Sequence, residues 1–85
     1  MGVICKLNGQ VVSCIWKDGF GEISMITHVA YRRMGLMNCL MCHVINDVFR
    51  GRLKDLMATP MNLISLSIIE KFGFDGKDQD YEFSL

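Results

Sequence analysis

The sequence predicts a small α+β domain in which an N-terminal antiparallel β-meander of two or three strands packs against two or three C-terminal helices. Apolar residues alternate with a period of two in the first quarter of the chain, where Asn-Gly and Asp-Gly turn signals also occur. After His28 the apolar spacing changes to three and four, which is typical of helices. The 85 residues suit a single domain with a meander (1–27), helices (28–73) and an acidic tail (74–85).

The first hairpin is predicted by two β-rich runs, Val3–Leu7 and Gln10–Trp16, on either side of the Asn-Gly pair at positions 8 and 9. Asn-Gly favours a type I′ turn because both central residues of that turn need positive φ. A two-residue turn pairs Cys5 with Val12 and sets the register of both strands. The face expected to meet the core then carries Val3, Cys5, Leu7, Val12, Cys14 and Trp16.

A third strand is predicted over residues 20–27, where apolar and polar residues alternate after a second turn signal, Asp-Gly at positions 18 and 19. The same register places Ile23 opposite Cys14 on the core face. The alternative is a helix that begins near Ser24 and leaves a two-stranded ribbon.

A long amphipathic helix is predicted from Leu36 to Met57. Gly35 separates it from a shorter helix that carries Tyr31, Arg32 and Arg33, and Gly51 is expected to fray or kink its last turns. Its apolar positions fall within one arc at about 100° per residue, which predicts the buried face. They are Met37, Leu40, Met41, Val44, Ile45 and Val48.

A second helix is predicted from Pro60 to Phe72. Thr59 is suited to be its N-cap, and proline is favoured at the first helical position. Lys71 supplies a basic last turn and Gly73 a stop. The stripe expected along one side of the helix is Met61, Ile64, Ile68 and Phe72.

The acidic tail alternates Tyr81, Phe83 and Leu85 with polar residues. This pattern predicts either an edge strand on the meander or a loose terminus. The sequence shows no linker, low-complexity tract or internal repeat.

The segment from Asn38 to Asp47 contains Cys39, Cys42 and His43 at the Cys-x-x-Cys-His spacing of haem attachment. A cysteine and a histidine four residues apart on a helix can also hold a metal. However, the second Cys-x-x-Cys of strong zinc motifs is missing, and the two hairpin cysteines are expected to be buried. We therefore predict no metal and no cofactor, and assign the three residues to a solvated helix face. A metal site at these residues is the remote alternative.

No enzyme is predicted, because the sequence has two histidines, no Gly-x-Ser-x-Gly nucleophile motif and no Gly-rich phosphate loop. The formal net charge is zero, but basic residues dominate positions 28–54 and acidic residues dominate positions 70–82. A basic helical patch makes a small nucleic-acid-binding regulator the alternative function. The patch comprises Arg32, Arg33, Arg50, Arg52 and Lys54.

The hydrophobic fraction of 51%, with seven methionines, exceeds what the thin core of a small domain is expected to hide. The excess predicts an exposed apolar patch that a second copy or a partner protein covers. The second helix is apolar around most of its circumference and is the best place for that patch. The predicted partner-binding residues are Met61, Leu63, Leu66 and Ile69.

The leading hypothesis from sequence is a small, non-enzymatic interaction module that binds a partner protein and modulates it, with inhibition favoured, in the manner of a phage or mobile-element accessory protein. Self-association into a homo-oligomer is also expected. The longest uncharged runs, residues 34–46 and 56–69, fall short of the roughly 18 residues that cross a bilayer, so no membrane partner is expected. The first residues do not resemble a secretion signal, which predicts a cytoplasmic location.

Overall fold

The fold is α+β, as the sequence predicts. The computed structural model describes residues 2–19, 21–77 and 80–84. Phe20 and Leu85, which belong to the predicted third strand and to the tail pattern, lie outside these residues. The elements in chain order are β1 (Gly2–Leu7), β2 (Gln10–Lys17), β3 (Ile23–Thr27), a 3-10 helix (Val29–Tyr31), α1 (Leu36–Phe49), β4 (Leu56–Ala58), α2 (Leu63–Lys71), β5 (Asp75–Lys77) and β6 (Asp80–Phe83).

The first sheet is an antiparallel meander in the order β1-β2-β3. Asn8 and Gly9 both have positive φ, 51° and 80°, as the predicted type I′ turn requires. The third strand is confirmed, with Ile23 buried and Ser24 exposed. The loop before it is longer than a two-residue turn, since Gly21 N donates to the carbonyl of Asp18 at 3.2 Å. Ile23 therefore lies opposite Lys17, not opposite Cys14 as predicted.

The predicted register of the first hairpin is wrong beyond its first pairs. Leu7 pairs with Gln10 as expected, but a β-bulge between Cys5 and Lys6 shifts the pairing, and Cys5 lies opposite Ser13. A one-residue shift moves the following residues of a strand to the other face. The inward face of β2 therefore carries Ser13 and Ile15 in place of Cys14 and Trp16.

The exposure of the β2 side chains follows from this shift. Ile15 is fully buried, whereas Trp16 keeps 43% of its surface exposed. Ser13 is buried at 2% exposure, and its hydroxyl is satisfied by the carbonyl of Ile26 at 3.2 Å and by the Thr27 hydroxyl at 2.8 Å. A buried hydroxyl is tolerated when it has such partners.

Helix α1 buries Leu40, Met41, Val44 and Val48, as its apolar arc predicts. It ends at Phe49, and Gly51 follows it with φ +73°. The predicted extension to Met57 is therefore wrong, because the chain leaves the helix at this glycine and forms β4. The predicted short helix that carries Tyr31, Arg32 and Arg33 is replaced by the 3-10 helix Val29–Tyr31, which ends before both arginines.

Helix α2 begins later than predicted. Its N-cap is Asn62, whose side-chain oxygen accepts from Ser65 N at 2.8 Å. Thr59 does not cap the helix, and its hydroxyl donates to the carboxylate of Asp80 at 2.9 Å. The predicted stripe is also rotated, since Ile69 is the fully buried residue while Met61 and Ile64 are exposed.

The tail belongs to a second sheet and does not extend the meander. Strand β6 pairs antiparallel with both β4 and β5, in the order β4-β6-β5. Its Phe83 ring contacts those of Phe74 and Phe49, with centroids 5.5 and 6.2 Å apart. The tail therefore completes the core, which corrects the prediction of an edge strand or a loose terminus.

The two sheets meet at one parallel bridge between Glu22 and Met57, where Met57 N donates to the carbonyl of Gly21 at 3.1 Å. The core lies between α1, α2 and the inner faces of both sheets, and includes Ile15, Met41 and Ile69. Among the described residues, no helix is long and apolar enough to cross a membrane.

Candidate functional site

A cleft of about 580 Å³ opens between the end of the first sheet and the start of both α-helices. It is lined by the end of β3 (Met25–Thr27), by the loop and first turn of α1 (residues 31–38) and by the start of α2 (residues 62–68). The cleft lies beyond the bridge that joins the sheets, on the side to which β3 and β4 both run. Ligand sites commonly form outside the carboxyl ends of parallel strands in this way.

The N-terminus of α1 points into this cleft. Gly35 is the N-cap, with φ +79°, and its cap position has no side-chain hydrogen bond. The first backbone N–H groups of an α-helix have no partners within the helix, and they carry its positive dipole end. A Cβ placed on Gly35 would meet nothing within 4 Å, so the space in front of the helix is open. This geometry suits a bound phosphate or carboxylate.

Two arginines reinforce the positive end of α1. Arg32 is held by its Nε, which donates to the carbonyl of Thr27 at 3.1 Å. Arg33 has φ +64°, so the backbone turns sharply just before Gly35. Both side chains line the cleft and are exposed. The helix N-terminus and two guanidinium groups therefore form one cationic edge of the cleft.

The loop that carries these arginines is fixed by backbone hydrogen bonds. His28 N donates to the carbonyl of Val12 at 2.7 Å, and Tyr31 N donates to the carbonyl of His28 at 2.9 Å. Ala30 N donates to the His28 ring nitrogen Nδ1 at 3.1 Å, and the His28 and Tyr31 rings meet edge to face at 5.7 Å. The bulged strand β2 thus positions the approach to α1.

Asn38 contributes a polar atom that the fold itself does not satisfy. Its Oδ1 is buried and has no hydrogen-bond partner within the described part of the chain, and the residue lines the cleft. Leaving a buried acceptor unpaired costs about 1–3 kcal/mol, which a ligand donor would offset. On the opposite wall, the Asn62 side chain is engaged by Ser65 N at 2.8 Å and by the Ser65 hydroxyl at 3.1 Å.

The predicted basic patch does not form one surface. Arg32 and Arg33 lie at the N-terminal end of α1, whereas Arg50 and Arg52 line a second cleft near its C-terminal end. Helix α1 has 14 residues, and a rise of 1.5 Å per residue separates its ends by about 21 Å. Lys54 lines neither cleft.

The residues predicted to bind a partner are also divided. Ile69 is fully buried in the core, so it is not available to a partner. Met61 and Leu63 are 87% and 82% exposed, and Leu66 is half-buried. Partner binding at these exposed residues remains a prediction.

Cys39, Cys42 and His43 are exposed on α1. Cys39 and His43 line the second cleft, of about 660 Å³, whereas Cys42 does not. In the ranges 2–19, 21–77 and 80–84, no group of three or more histidine, cysteine or acidic residues could hold a metal ion. All four cysteines are free.

Sequence reasoning missed the cleft because its walls come from three separate segments. Gly35 was interpreted only as a helix divider, and Asn38 and Asn62 received no role. One signal is present: Gly35 directly precedes the predicted amphipathic helix, and two arginines lie just before it at positions 32 and 33. A glycine before a helix start lets an anion approach the free N–H groups of the first turn, and arginines beside it add positive charge.

No protein-family model and no curated protein matches the sequence. Among solved structures, the chain is similar to a protein from Acinetobacter baylyi described as a "Putative Acetyltransferase", with a TM-score of 0.71 and 22% sequence identity. The match covers 91% of this chain and 58% of that one, so this chain spans a little over half the length of the Acinetobacter protein. The two proteins share a fold over this region.

This likeness overturns the leading functional hypothesis from sequence. A small, non-enzymatic inhibitory module was expected, with a nucleic-acid-binding regulator or a metal-binding protein as alternatives. The chain instead has the fold of part of the larger Acinetobacter protein that is described as a "Putative Acetyltransferase". The sequence predicts the α+β class, but the likeness to this protein emerges only from the order and packing of the elements.

Proposed function

We propose that this chain provides the donor-binding region of an acetyltransferase-type fold and binds acetyl coenzyme A in the cleft at the start of α1. The observation that carries the proposal is the open, uncapped N-terminus of α1 beside Arg32 and Arg33. Coenzyme A is a common carrier of acetyl groups, and its diphosphate matches a helix N-terminus. The fold shared with the Acinetobacter protein supports the same assignment.

The cleft has the parts that such a donor needs. The phosphates would lie against the N–H groups of the first turn of α1, with the arginines neutralising their charge. The space in front of Gly35 lets a phosphate approach the backbone closely. Asn38 Oδ1 is free to accept a hydrogen bond from the donor's amide groups. Apolar walls from Met25 and Ile68 suit the uncharged arm of the donor.

Titration calorimetry with acetyl coenzyme A tests the proposal. We expect one saturable site whose affinity falls as salt is added, because phosphate contacts are screened. Arg32→Glu should weaken binding by about tenfold or more, since loss of an ion-paired hydrogen bond is worth 1.4 kcal/mol or more. Lys54→Glu makes the same charge change outside the cleft and should leave the affinity within about twofold.

Two results would contradict this proposal. One is a chain that stays folded, by circular dichroism, and shows no heat of binding with acetyl coenzyme A at millimolar concentration. The other is equal weakening by the Arg32 and Lys54 variants, which would show that overall charge and not the cleft determines binding.

A further inference from the structure

The second cleft runs along the open edge of β1. Strand β1 is the outer strand of the meander and, among the described residues, pairs with β2 on one side only. Val3, Ile4 and Cys5 all line this cleft. Successive side chains of a strand point to opposite faces of the sheet. A cleft that touches three consecutive residues must therefore follow the edge of the strand itself.

The opposite wall of this cleft is one flank of α1. Cys39, His43, Asn46 and Arg50 are spaced by three and four residues and therefore share one side of the helix. The flank of α1 and the edge of β1 therefore enclose a groove of about 660 Å³, here called the β1 groove. An exposed strand edge beside a groove is the arrangement that accepts an added β-strand.

The charges around the groove indicate which kind of added strand it can bind. Arg50 and Arg52 line the groove near the C-terminal end of α1, and His43 lines it as well. The acidic lining residue is Asp47, whose carboxylate lies 3.7 Å from the guanidinium group of Arg52. The rim is therefore cationic at the end of α1. A second copy of β1 is a poor occupant, because the charged residue of β1 is Lys6.

From this geometry we infer that the β1 groove binds an extended segment of another polypeptide in which acidic and apolar side chains alternate. The segment adds a strand to β1 through backbone hydrogen bonds. Its acidic side chains lie on the α1 side, towards Arg50 and Arg52. Its apolar side chains lie on the outer face, beside Ile4, which is 51% exposed, and Trp16. This inference concerns a site separate from the donor cleft and does not depend on it.

The test uses a short, fluorescently labelled peptide of alternating valine and glutamate, with binding measured by anisotropy. We expect the valine–glutamate peptide to bind saturably and the matched valine–lysine peptide to bind at least tenfold more weakly. A valine–glutamate peptide that is N-methylated at alternate amides should not bind, because it cannot form the backbone hydrogen bonds of an added strand. Hydrogen exchange of the β1 amides should slow when the peptide is bound.

Variants of the protein provide the matched controls. Arg50→Glu should weaken binding of the valine–glutamate peptide about tenfold and leave the affinity for acetyl coenzyme A unchanged. Lys71→Glu makes the same charge change at the C-terminal end of α2, outside the groove, and should change peptide affinity less than about twofold. Equal binding of the glutamate and lysine peptides, full binding of the N-methylated peptide, or no peptide binding at all would overturn the inference.

Discussion

The two ends of α1 carry similar side chains but differ in what they can bind. Each end has a glycine with positive φ, Gly35 at +79° and Gly51 at +73°, and each has a pair of arginines. At the N-terminal end the helix dipole and the arginines have the same sign, so a phosphate gains from both. At the C-terminal end the negative end of the helix dipole offsets part of the positive charge of the arginines, and the carboxylate of Asp47 contacts Arg52.

A count of basic residues therefore does not define a site. The same composition gives the proposed anion site where backbone N–H groups are free, and a weaker cationic rim where carbonyl groups dominate. The predictions below measure this difference between the two ends of one helix.

The largest effect is expected from adding a methyl group at each helix-flanking glycine. Gly35→Ala and Gly51→Ala introduce the same strain, about 1 kcal/mol of unfolding free energy, because both residues have positive φ and open space around them. Only the methyl group at position 35 enters the space proposed for phosphate. Calorimetry should show that the Gly35→Ala variant binds acetyl coenzyme A at least tenfold more weakly than the unmodified protein. The Gly51→Ala variant should bind it with unchanged affinity. Equal affinities of the two variants would remove the distinction between the ends.

A smaller effect is expected from the two asparagines that line the two clefts of α1. Asn38 has a buried, unpaired Oδ1, whereas Asn46 is exposed. Asn38→Ala should leave the unfolding free energy unchanged or raise it by a few tenths of a kcal/mol, and weaken acetyl coenzyme A binding several-fold. Asn46→Ala should change neither quantity. Chemical denaturation and calorimetry measure the two effects, and a clear loss of stability in Asn38→Ala would show that its side chain serves the fold alone.

The smallest effect is a difference in thiol protection. Cys39 is exposed in the β1 groove, and Cys42 is exposed on α1 outside both clefts. Saturating valine–glutamate peptide should slow alkylation of Cys39 a few-fold and leave Cys42 unaffected, as followed by mass spectrometry. Acetyl coenzyme A should protect neither thiol. Protection of Cys39 by acetyl coenzyme A but not by the peptide would place the donor on the side of α1 that faces β1.

Much of the local structure could be predicted from the sequence because it depends on neighbouring residues. The type I′ turn follows from Asn8 and Gly9, and the apolar arc of α1 follows from spacing within one helix. The stop after α2 was also predicted, since Gly73 has φ +87°. Each of these features is decided within a few residues of chain.

The errors came from interactions between distant segments. No local signal marks the bulge opposite Cys5, and this one extra residue moved Trp16 to the outer face. The second sheet depends on pairing the tail with residues 56–58, and the predicted helix, which extended to Met57, covers the first two of these. The candidate site combines three segments, so the cleft and its cationic edge appear only when the fold brings them together.

The single bridge between the sheets makes one backbone amide a reporter for the whole cleft. Met57 N donates to the carbonyl of Gly21, and within the described ranges the two strands have no other bridge. One wall of the cleft is the end of β3, and another is the start of α2, which follows β4 in the chain. Movement of β4 and α2 away from β3 should therefore strain this hydrogen bond, and the exchange rate of the Met57 amide proton reports how often the two sheets separate at the bridge.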